Sequence, residues 1–587
     1  LTKNKTKLTA FGLEMLDERY FLPGETVEGL FKRVADANSD NEAHSKRLQQ
    51  YMADLWFMPA TPVLSNSGTD RGELISCFLN EVPDKKKGIF DGYRENFWLG
   101  AGGGGIGTDW SAVREVGANV GKNGQSSGIV PFIKVSDSAT LAVSQGGLRR
   151  ASQAVYLDVS HPEIEEFVEI RRPTGADQNR RSLNVHHGVK LSDEFMQALL
   201  DDGEWELKSP ATGEIVKRVS AFDLFVRILT ARIETGEPYI YYSDTAERLM
   251  PDIYRKHGLK VNMSNLCTEI MLATSPDRTA VCCLSSVNLQ TYDEWKGNHQ
   301  FIEDVVRFLD NVLQNFIDSV RNKPGYEKAV LSAESERSVG LGVMGFHGYL
   351  QEKSIPFESA MAEGFNRNVF KFLRESSYEA SIKLGFEKGF APLFEKRLST
   401  EMPRRNVCLL SIAPTSSISI ICGEATQGIE PMLANVYTHK NNVGTHIVRN
   451  PRLEKLIKQH AKFLPEGWED EQWKLIGQNS GSVQDLHWMD QWDKDVFKTA
   501  YEIDQRWIIS HAAVRQEFID QGQSVNLFFT HDSHKQELFD VHVMAWKRGL
   551  KSLYYCRSTA ANRAKVGQEV KREVIPEKNY EECLSCQ

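Results

Sequence analysis

Asn265, Cys267 and Glu269 place an amide, a thiol and a carboxylate at i, i+2 and i+4 near the middle of a 587-residue chain, in the run Ser264-Asn265-Leu266-Cys267-Thr268-Glu269-Ile270. In an extended backbone successive side chains point to opposite faces. These three would then share one face while Leu266, Thr268 and Ile270 pack on the other. A helix would splay i from i+2. A hydrogen-bond donor, a redox-capable sulfur and a base on one edge are the parts of a reaction centre. The same run also reads as a loop around a buried structural cysteine, because free cysteine commonly acts as a small hydrophobe. The rest of the chain decides between the two.

Two other kinds of stretch could meet a ligand. Gly100 to Gly107 contains a literal G-x-G-x-x-G, but the dinucleotide fingerprint needs a strand before it, and 91–98 is polar and aromatic. What these glycines do offer is backbone that another group can approach closely. A second loop, Ser144-Gln145-Gly146-Gly147-Leu148-Arg149-Arg150, lies between the 129–135 run and the strand-like 154–157. It reads either as a cradle for a nucleotide or as an exposed basic turn. Pro414-Thr415-Ser416-Ser417 follows the strand-like 407–412 and reads as a phosphate cradle or as an unliganded helix cap.

Nine cysteines, an odd number on a long chain, argue for thiols kept reduced rather than a secreted disulfide framework. None has zinc-ligand spacing, so no structural metal is expected. A charged content of 25% and a net charge of -9 form no basic footprint for nucleic acid. No apolar run is long enough to span a membrane and no signal peptide is evident, so a cytoplasmic protein is expected.

The elements that must position the chemistry can be read in outline. Residues 42–57 carry Leu48, Tyr51, Met52, Leu55 and Trp56 at helical spacing. Pro59 and Pro62 then make a rigid loop around Thr61, and 73–79 reads as a buried strand containing Cys77. Ser160 to Glu163 reads as a capping box opening a helix with Ile164, Phe167 and Val168. Residues 301–320 form the clearest amphipathic helix. Strand-like runs at 239–242, 407–412, 525–529 and 553–555 alternate with helices, which favours a mainly parallel sheet with both faces covered. The polar tail 565–587 carries Cys583 and Cys586.

In this order the pieces resemble the catalytic (large, α) subunit of ribonucleotide reductase, nearest to class I enzymes, from about Leu8 to the C-terminus. Asn265-Leu266-Cys267-Thr268-Glu269-Ile270 resembles the family's finger loop. Ser76-Cys77 and Cys282 with Leu284-Ser285 resemble the strands that hold its redox pair. Pro414 to Ser417, followed by Gly428-Ile429-Glu430-Pro431, resembles the substrate phosphate loop. Tyr554-Tyr555 resembles the tyrosine dyad, and Cys583 with Cys586 the shuttle thiols.

The resemblance implies a ten-stranded α/β barrel of two five-stranded halves over 76–564, with the finger loop through its centre. A helical region, 1–75, precedes it, and the tail follows from 565. It implies that Cys267 carries a thiyl radical, Glu269 is the base, Asn265 positions the sugar, and Cys77 with Cys282 supplies electrons and ends as a disulfide. Thr61, Ser76, Gly105 and Pro414, Thr415, Ser416 and Ser417 would bind substrate, a ribonucleoside diphosphate or else a triphosphate. Asp84 and Arg114 would hold a dNTP or ATP effector with magnesium, and Ser144, Gln145, Gly146, Gly147 and Arg149 would couple it to substrate. Arg150 stands there in place of a small residue.

The implied partners are a metal-containing small (β) subunit that supplies the radical through Tyr554 and Tyr555, a thioredoxin or glutaredoxin, and a second copy in a homodimer. No cofactor is bound covalently. The tail, extended, could reach about 60 Å. Alternatively, Cys583-x-x-Cys586 could be a thioredoxin-type centre, but it lacks βαβ surroundings. Cys283 beside Cys282 departs from the family pattern, and spacing favours Cys282. No room remains before the barrel for an ATP-cone, unless the chain is a truncated form. The 16–25 stretch also resembles adenosylcobalamin-dependent (class II) relatives, which stay an alternative. So does a non-catalytic nucleotide-binding homologue, though the intact thiols and Glu269 speak against it. A Rossmann oxidoreductase comes last.

Overall fold

Three helices, Ala10–Arg19, Val27–Ala37 and Glu42–Ala53, open the chain. Thr9, Thr26 and Asn41 cap them, each accepting from a backbone N–H of the first turn that has no partner within the helix. The computed structural model describes residues 7–559 except 123, 144–150, 174–176, 395–399, 424, 441–444, 463 and 531. The coupling loop expected at Ser144 to Arg149, and the tail with Cys583 and Cys586, lie outside the described residues. The third helix stops at Ala53, short of the 42–57 range expected, because Leu55 turns to φ 59° and Phe57–Pro59 continues as a strand. The segment expected as a rigid proline loop is this strand plus the helix Thr61–Asn66, where Pro62 suits the first turn because its missing N–H had no partner to lose.

Five parallel strands make one half of a barrel: Cys77–Glu81, Gly105–Asp109, Ser152–Asp158, His186–Leu191 and Tyr239–Tyr242. The second half starts with Ala280–Asn288 and Val339–Met344, paired in parallel. Residues 407–412, expected as a strand, join it through isolated bridges, Leu341 to Leu410 and Ile412 to Gln523. Leu527–Phe529 pairs in parallel with Cys556–Ser558. Two antiparallel seams close the ring. Cys77–Glu81 meets the start of Ala280–Asn288, and Tyr239–Tyr242 meets Ser552–Leu553. Each half therefore contributes five segments, and Phe57–Pro59 adds to the outside of Ala280–Asn288.

Alternation along the strands separates two cores. Cys77, Leu79, Ala154, Tyr156, Tyr239, Tyr241, Cys282 and Leu284 belong to the inner cluster. Phe78, Val155, Leu157, Ile240, Tyr242, Val281 and Cys283 belong to the outer one, beneath the helices. The helix His299–Val320 covers that outer layer, burying Phe301, Val305, Leu309, Leu313, Phe316 and Val320, each worth about 1.5–3 kcal/mol.

The expected capping box is not formed. Ser160 Oγ donates to Asp158, and the helix Ile164–Phe167 has no side-chain cap. The glycine-rich run lies between the helix Lys86–Ala101 and the strand Gly105–Asp109. Helix then strand is the reverse of a dinucleotide turn. Among the described residues no helix is long and apolar enough to cross a membrane, and no group of three His, Cys, Asp or Glu could hold a metal.

Candidate active site

After the strand Tyr239–Tyr242 and two short helices the chain leaves regular structure and enters the barrel. Met263, Leu266, Cys267, Ile270 and Met271 pack among the inward strand residues. The extended alternation expected for this stretch is absent. The backbone turns at Leu266 and Cys267, Thr268 N–H reaches Asn265 O at 3.4 Å, and Thr268 takes φ 65°. The run is therefore a buried loop, and its three polar side chains have separate partners. Asn265 Nδ2 donates to Cys77 Sγ (3.4 Å) while its Oδ1 accepts from Ile270 N–H (3.1 Å). Cys267 Sγ accepts from the Tyr554 hydroxyl (3.3 Å). Glu269 Oε2 accepts from Ser524 Oγ (3.4 Å).

A buried irregular backbone needs hydrogen-bond partners for its carbonyls, and here the barrel's hydroxyls provide them. Tyr156 donates to Asn265 O (2.7 Å), Ser524 to Cys267 O and Ser552 to Thr268 O (3.1 Å). Ser411 donates to Glu269 O (2.7 Å), which also takes Gly522 N–H (2.8 Å), and Ser264 donates to Ile270 O (2.8 Å). Room for the loop comes from Gly107: a Cβ there would lie 2.2 Å from Ser264 O.

Cys77 and Cys282 face each other across the antiparallel seam as Cα partners, so their side chains lie on the same face. Both are free thiols. Burial pushes the Cys282 thiol well up, with Cys77 and Cys283 adding to the shift. Gln521 Nε2 stands 3.9 Å from Cys282 Sγ. Cys283 points into the outer layer.

From Cys267 the aromatic rings continue outward. Tyr554 and Tyr555 have centroids 4.3 Å apart, and Tyr239 packs against both, at 4.9 and 5.2 Å. Arg232, fully buried, holds Tyr554 O (3.0 Å).

Thr415 takes φ 59° before the short helix Ser416–Ile421. Its Oγ1 accepts from Gly428 N–H (2.8 Å) instead of capping that helix, which ties the two expected phosphate segments together. Glu430 accepts from Asn526, whose Oδ1 takes Tyr555 N–H. Pro414 precedes the helix Ser416–Ile421 and Ser417 lies in its first turn, where it is buried. Ser76 O accepts from Gly105 N–H (2.7 Å) at the Cys77 strand, and Thr61 Oγ1 is 3.0 Å from Tyr20 Oη. Asp84 pairs with Arg114 (2.8 Å), whose NH1 donates to Asn119 O on the hairpin Val116–Val120/Gly124–Ser127.

Sequence reasoning missed Tyr239, Gln521, Ser524, Ser411 and Ser552. Alternation in Tyr239-Ile240-Tyr241-Tyr242 could have turned Tyr239 inward. Ser411, Ser524 and Gln521 sit in irregular segments that carry no periodic signal, and Ser552 lies in a two-residue strand too short to show one.

Models of two ribonucleotide reductase domains match the chain: the all-alpha domain over residues 6–72 and the barrel domain over 75–556. A relative from Frog virus 3 (isolate Goorha) is 40% identical over 582 residues, covering 99% of this chain and 98% of its own. The ribonucleoside-diphosphate reductase large subunit of Invertebrate iridescent virus 3 is 36% identical over 607 residues, covering 94% and 93%. Among solved structures, the Actinobacillus ureae class Id ribonucleotide reductase alpha subunit superposes with a TM-score of 0.83 at 32% identity, covering 96% of this chain and 99% of that one. Domain matches that span the barrel and the N-terminal helices, and identity sustained along nearly the whole length, make this chain a member of the ribonucleotide reductase large (α) subunit family.

Proposed function

We propose that the chain is the catalytic subunit of a class I ribonucleoside-diphosphate reductase, converting ribonucleoside diphosphates to 2′-deoxyribonucleotides for DNA synthesis. The observation that carries this reading is the Tyr554 hydroxyl on Cys267 Sγ at 3.3 Å, inside a barrel that also sets Cys77 opposite Cys282. A radical on Tyr555 takes a hydrogen atom from Tyr554, and Tyr554 takes one from Cys267. The Cys267 thiyl radical then abstracts hydrogen from C3′ of the ribose. Glu269 accepts the 3′-hydroxyl proton and Asn265 fixes the sugar. The 2′-hydroxyl leaves as water as the pair Cys77/Cys282 gives up two protons and two electrons and closes a disulfide. The product radical then takes a hydrogen atom back from the Cys267 thiol, and the thiyl radical so regenerated recovers its hydrogen from Tyr554 as the radical returns along the relay. Per turnover, two thiols and a ribonucleotide become a disulfide, a deoxyribonucleotide and water.

Thr61, Ser76, Gly105 and the Pro414–Ser417 turn would hold substrate. Asp84 and Arg114 would hold a dNTP or ATP effector with magnesium, and Ser144 to Arg149 would relay its identity. The radical would come from a metal-containing small subunit, and Cys583 with Cys586 would pass electrons from a thioredoxin or glutaredoxin. Phe90, Phe97 and Trp98 on Lys86–Ala101, with Val135 and Leu141 on the adjacent Ile129–Val143, form an exposed apolar face that supports a homodimer. Reduced thiols suit the cytoplasm.

The test combines the purified chain with a candidate small subunit, dithiothreitol, a ribonucleoside diphosphate and each dNTP. Deoxynucleotide should form with the parent and not with Cys267→Ser. Turnover by Cys267→Ser would refute the mechanism, and turnover with adenosylcobalamin alone would overturn the class.

A further inference from the structure

Tyr555 meets an imidazole at its hydroxyl. His186 Nδ1 lies 3.4 Å from Tyr555 Oη and 2.5 Å from Glu237 Oε1, so one ring nitrogen stands between a phenol and a carboxylate. Glu237 is buried. Its Oε2 accepts from His187 N–H (3.0 Å) and lies 3.2 Å from His187 Nδ1 and 3.4 Å from Arg171 Nε. Burial opposes its charge, but Arg171 and the two histidines outweigh burial and hold the carboxyl well below the usual range. An ionised carboxylate only accepts, so the His186 Nδ1–H donates to it, which fixes the tautomer with the proton on Nδ1.

The imidazole is also fixed by its neighbours. It lies parallel to Tyr239 (6.1 Å, 17°) and edge-on to Tyr555 (6.1 Å, 79°). Tyr239 packs in turn against both rings of the pair. The Arg557 guanidinium covers the Tyr555 ring at 5.2 Å. The single Nδ1 proton is therefore shared, held by Glu237 at 2.5 Å and offered also to the Tyr555 oxygen at 3.4 Å.

We infer that His186, held by Glu237, is a positioning residue for radical transfer. It fixes the phenol oxygen of Tyr555 so that this ring stays in register with Tyr554. The inference rests on the reading of Tyr554 and Tyr555 as a relay. No catalytic step passes through the imidazole. Its role is the orientation of the ring and the hydrogen bond that the oxygen receives, both of which a radical on that oxygen reports.

The experiment places 3-aminotyrosine at position 555 of the full chain and mixes it with small subunit, a ribonucleoside diphosphate and effector for high-field electron paramagnetic resonance. An aminotyrosyl radical should form. His186→Phe should raise its gx value, since the oxygen loses a hydrogen bond, and lower its yield. In the chain with natural Tyr555, the same substitution should cut kcat about tenfold at unchanged KM. His186→Asn, which retains an N–H donor, should restore both. Nucleotide binding serves as the check on folding. If His186→Phe does not fold, Glu237→Gln gives the reading instead, because loss of the carboxylate frees the imidazole and should shift gx as well. An unchanged gx and kcat in the folded variant overturns the inference while the relay stands. Absence of any radical in the parent overturns the relay and this inference with it.

Discussion

Gly107→Ala tests whether barrel geometry holds the Cys267 loop. The added Cβ would lie 2.2 Å from Ser264 O and 3.0 Å from Asn265 Cα, where real Cβ contacts essentially never fall below 3.0 Å. Both obstacles are backbone atoms, so no rotamer change relieves the clash. Gly107 cannot retreat either, because its strand is paired on both sides, with Leu79 and with Ala154. The loop must therefore move by about 1 Å, a misplacement that costs on the order of 100-fold in rate when reacting groups have to align. Overpacking adds roughly 1–3 kcal/mol of instability. The assay is deoxynucleotide formation with small subunit and dithiothreitol, alongside nucleotide binding and denaturant unfolding. The expectation is a kcat loss far larger than any change in binding. Gly364→Ala is the control: its Cβ meets open space on the exposed face of the helix Ala360–Lys388, so stability should rise by about 0.5–1 kcal/mol with turnover unchanged. Parental turnover in a folded Gly107→Ala would refute the idea that this contact sets the loop.

The seam separates the two adjacent thiols. Cys282→Ser should abolish multiple turnover while substrate still binds, whereas Cys283→Ser should keep turnover and lose about 1–3 kcal/mol for a hydroxyl buried in the outer core. Equal activities would contradict this assignment. Ser524→Ala should cost about 1–3 kcal/mol in denaturant unfolding, since Cys267 O loses its hydroxyl donor. Ser411→Ala should cost less, because Glu269 O keeps Gly522 N–H. The reverse order would refute the account of the loop's support. Glu163 accepts from Val116 and Ile129 N–H, yet burial raises its carboxyl from 4.5 to about 7. Between those values the native state holds a proton that the unfolded chain has lost, so this group's contribution to stability falls as pH rises from 4.5 to 7, by at most about 3 kcal/mol. Glu163→Gln should remove that slope, and a parent-minus-variant difference flat over pH 4.5–7 would count against it.

The chain's chemistry was more legible than the framework around it. Asn265, Cys267 and Glu269 stood out by type and spacing, but the extended geometry used to group them was wrong. Spacing alone did not reveal the left-handed Thr268 that turns the loop. Residues 407–412 read as a buried strand from their apolar run. In the fold, Asp520 Oδ2 takes Leu409 and Leu410 N–H (2.9 and 3.0 Å) and Ser411 turns its hydroxyl to the loop, so only single bridges remain. The expected box at Ser160 failed for a similar reason: Asp158 takes the hydroxyl, and Glu163 is committed to Val116 and Ile129. Asp520 at Leu409 and Leu410, and Val116 and Ile129 at Glu163, are long-range partners that outweigh a local pattern, whereas Asp158 takes Ser160 from two residues away. The hydroxyls that support the loop come from Tyr156, Ser411, Ser524 and Ser552, and only the closed barrel makes them neighbours.

That closure also bears on the redox chemistry proposed for it. Burial holds the Cys282 thiol protonated far above neutral pH, with Cys77 across the seam adding to the effect. A protonated thiol there can deliver hydrogen to a substrate radical, and a dry interior keeps that radical from water. The same environment makes the Cys282 sulfur a poor nucleophile, because exchange proceeds through the thiolate. A site built this way can spend its own reducing equivalents but cannot readily begin its own repair, so the attacking sulfur has to arrive from a more solvated setting. This is the physical case for a separate shuttle, and it is independent of where such thiols stand in the chain. It also ties the loop to the seam: Asn265 Nδ2 donates to Cys77 Sγ and so joins the Cys267 run to the thiol pair, and a shift of that loop would disturb hydrogen abstraction and thiol chemistry together.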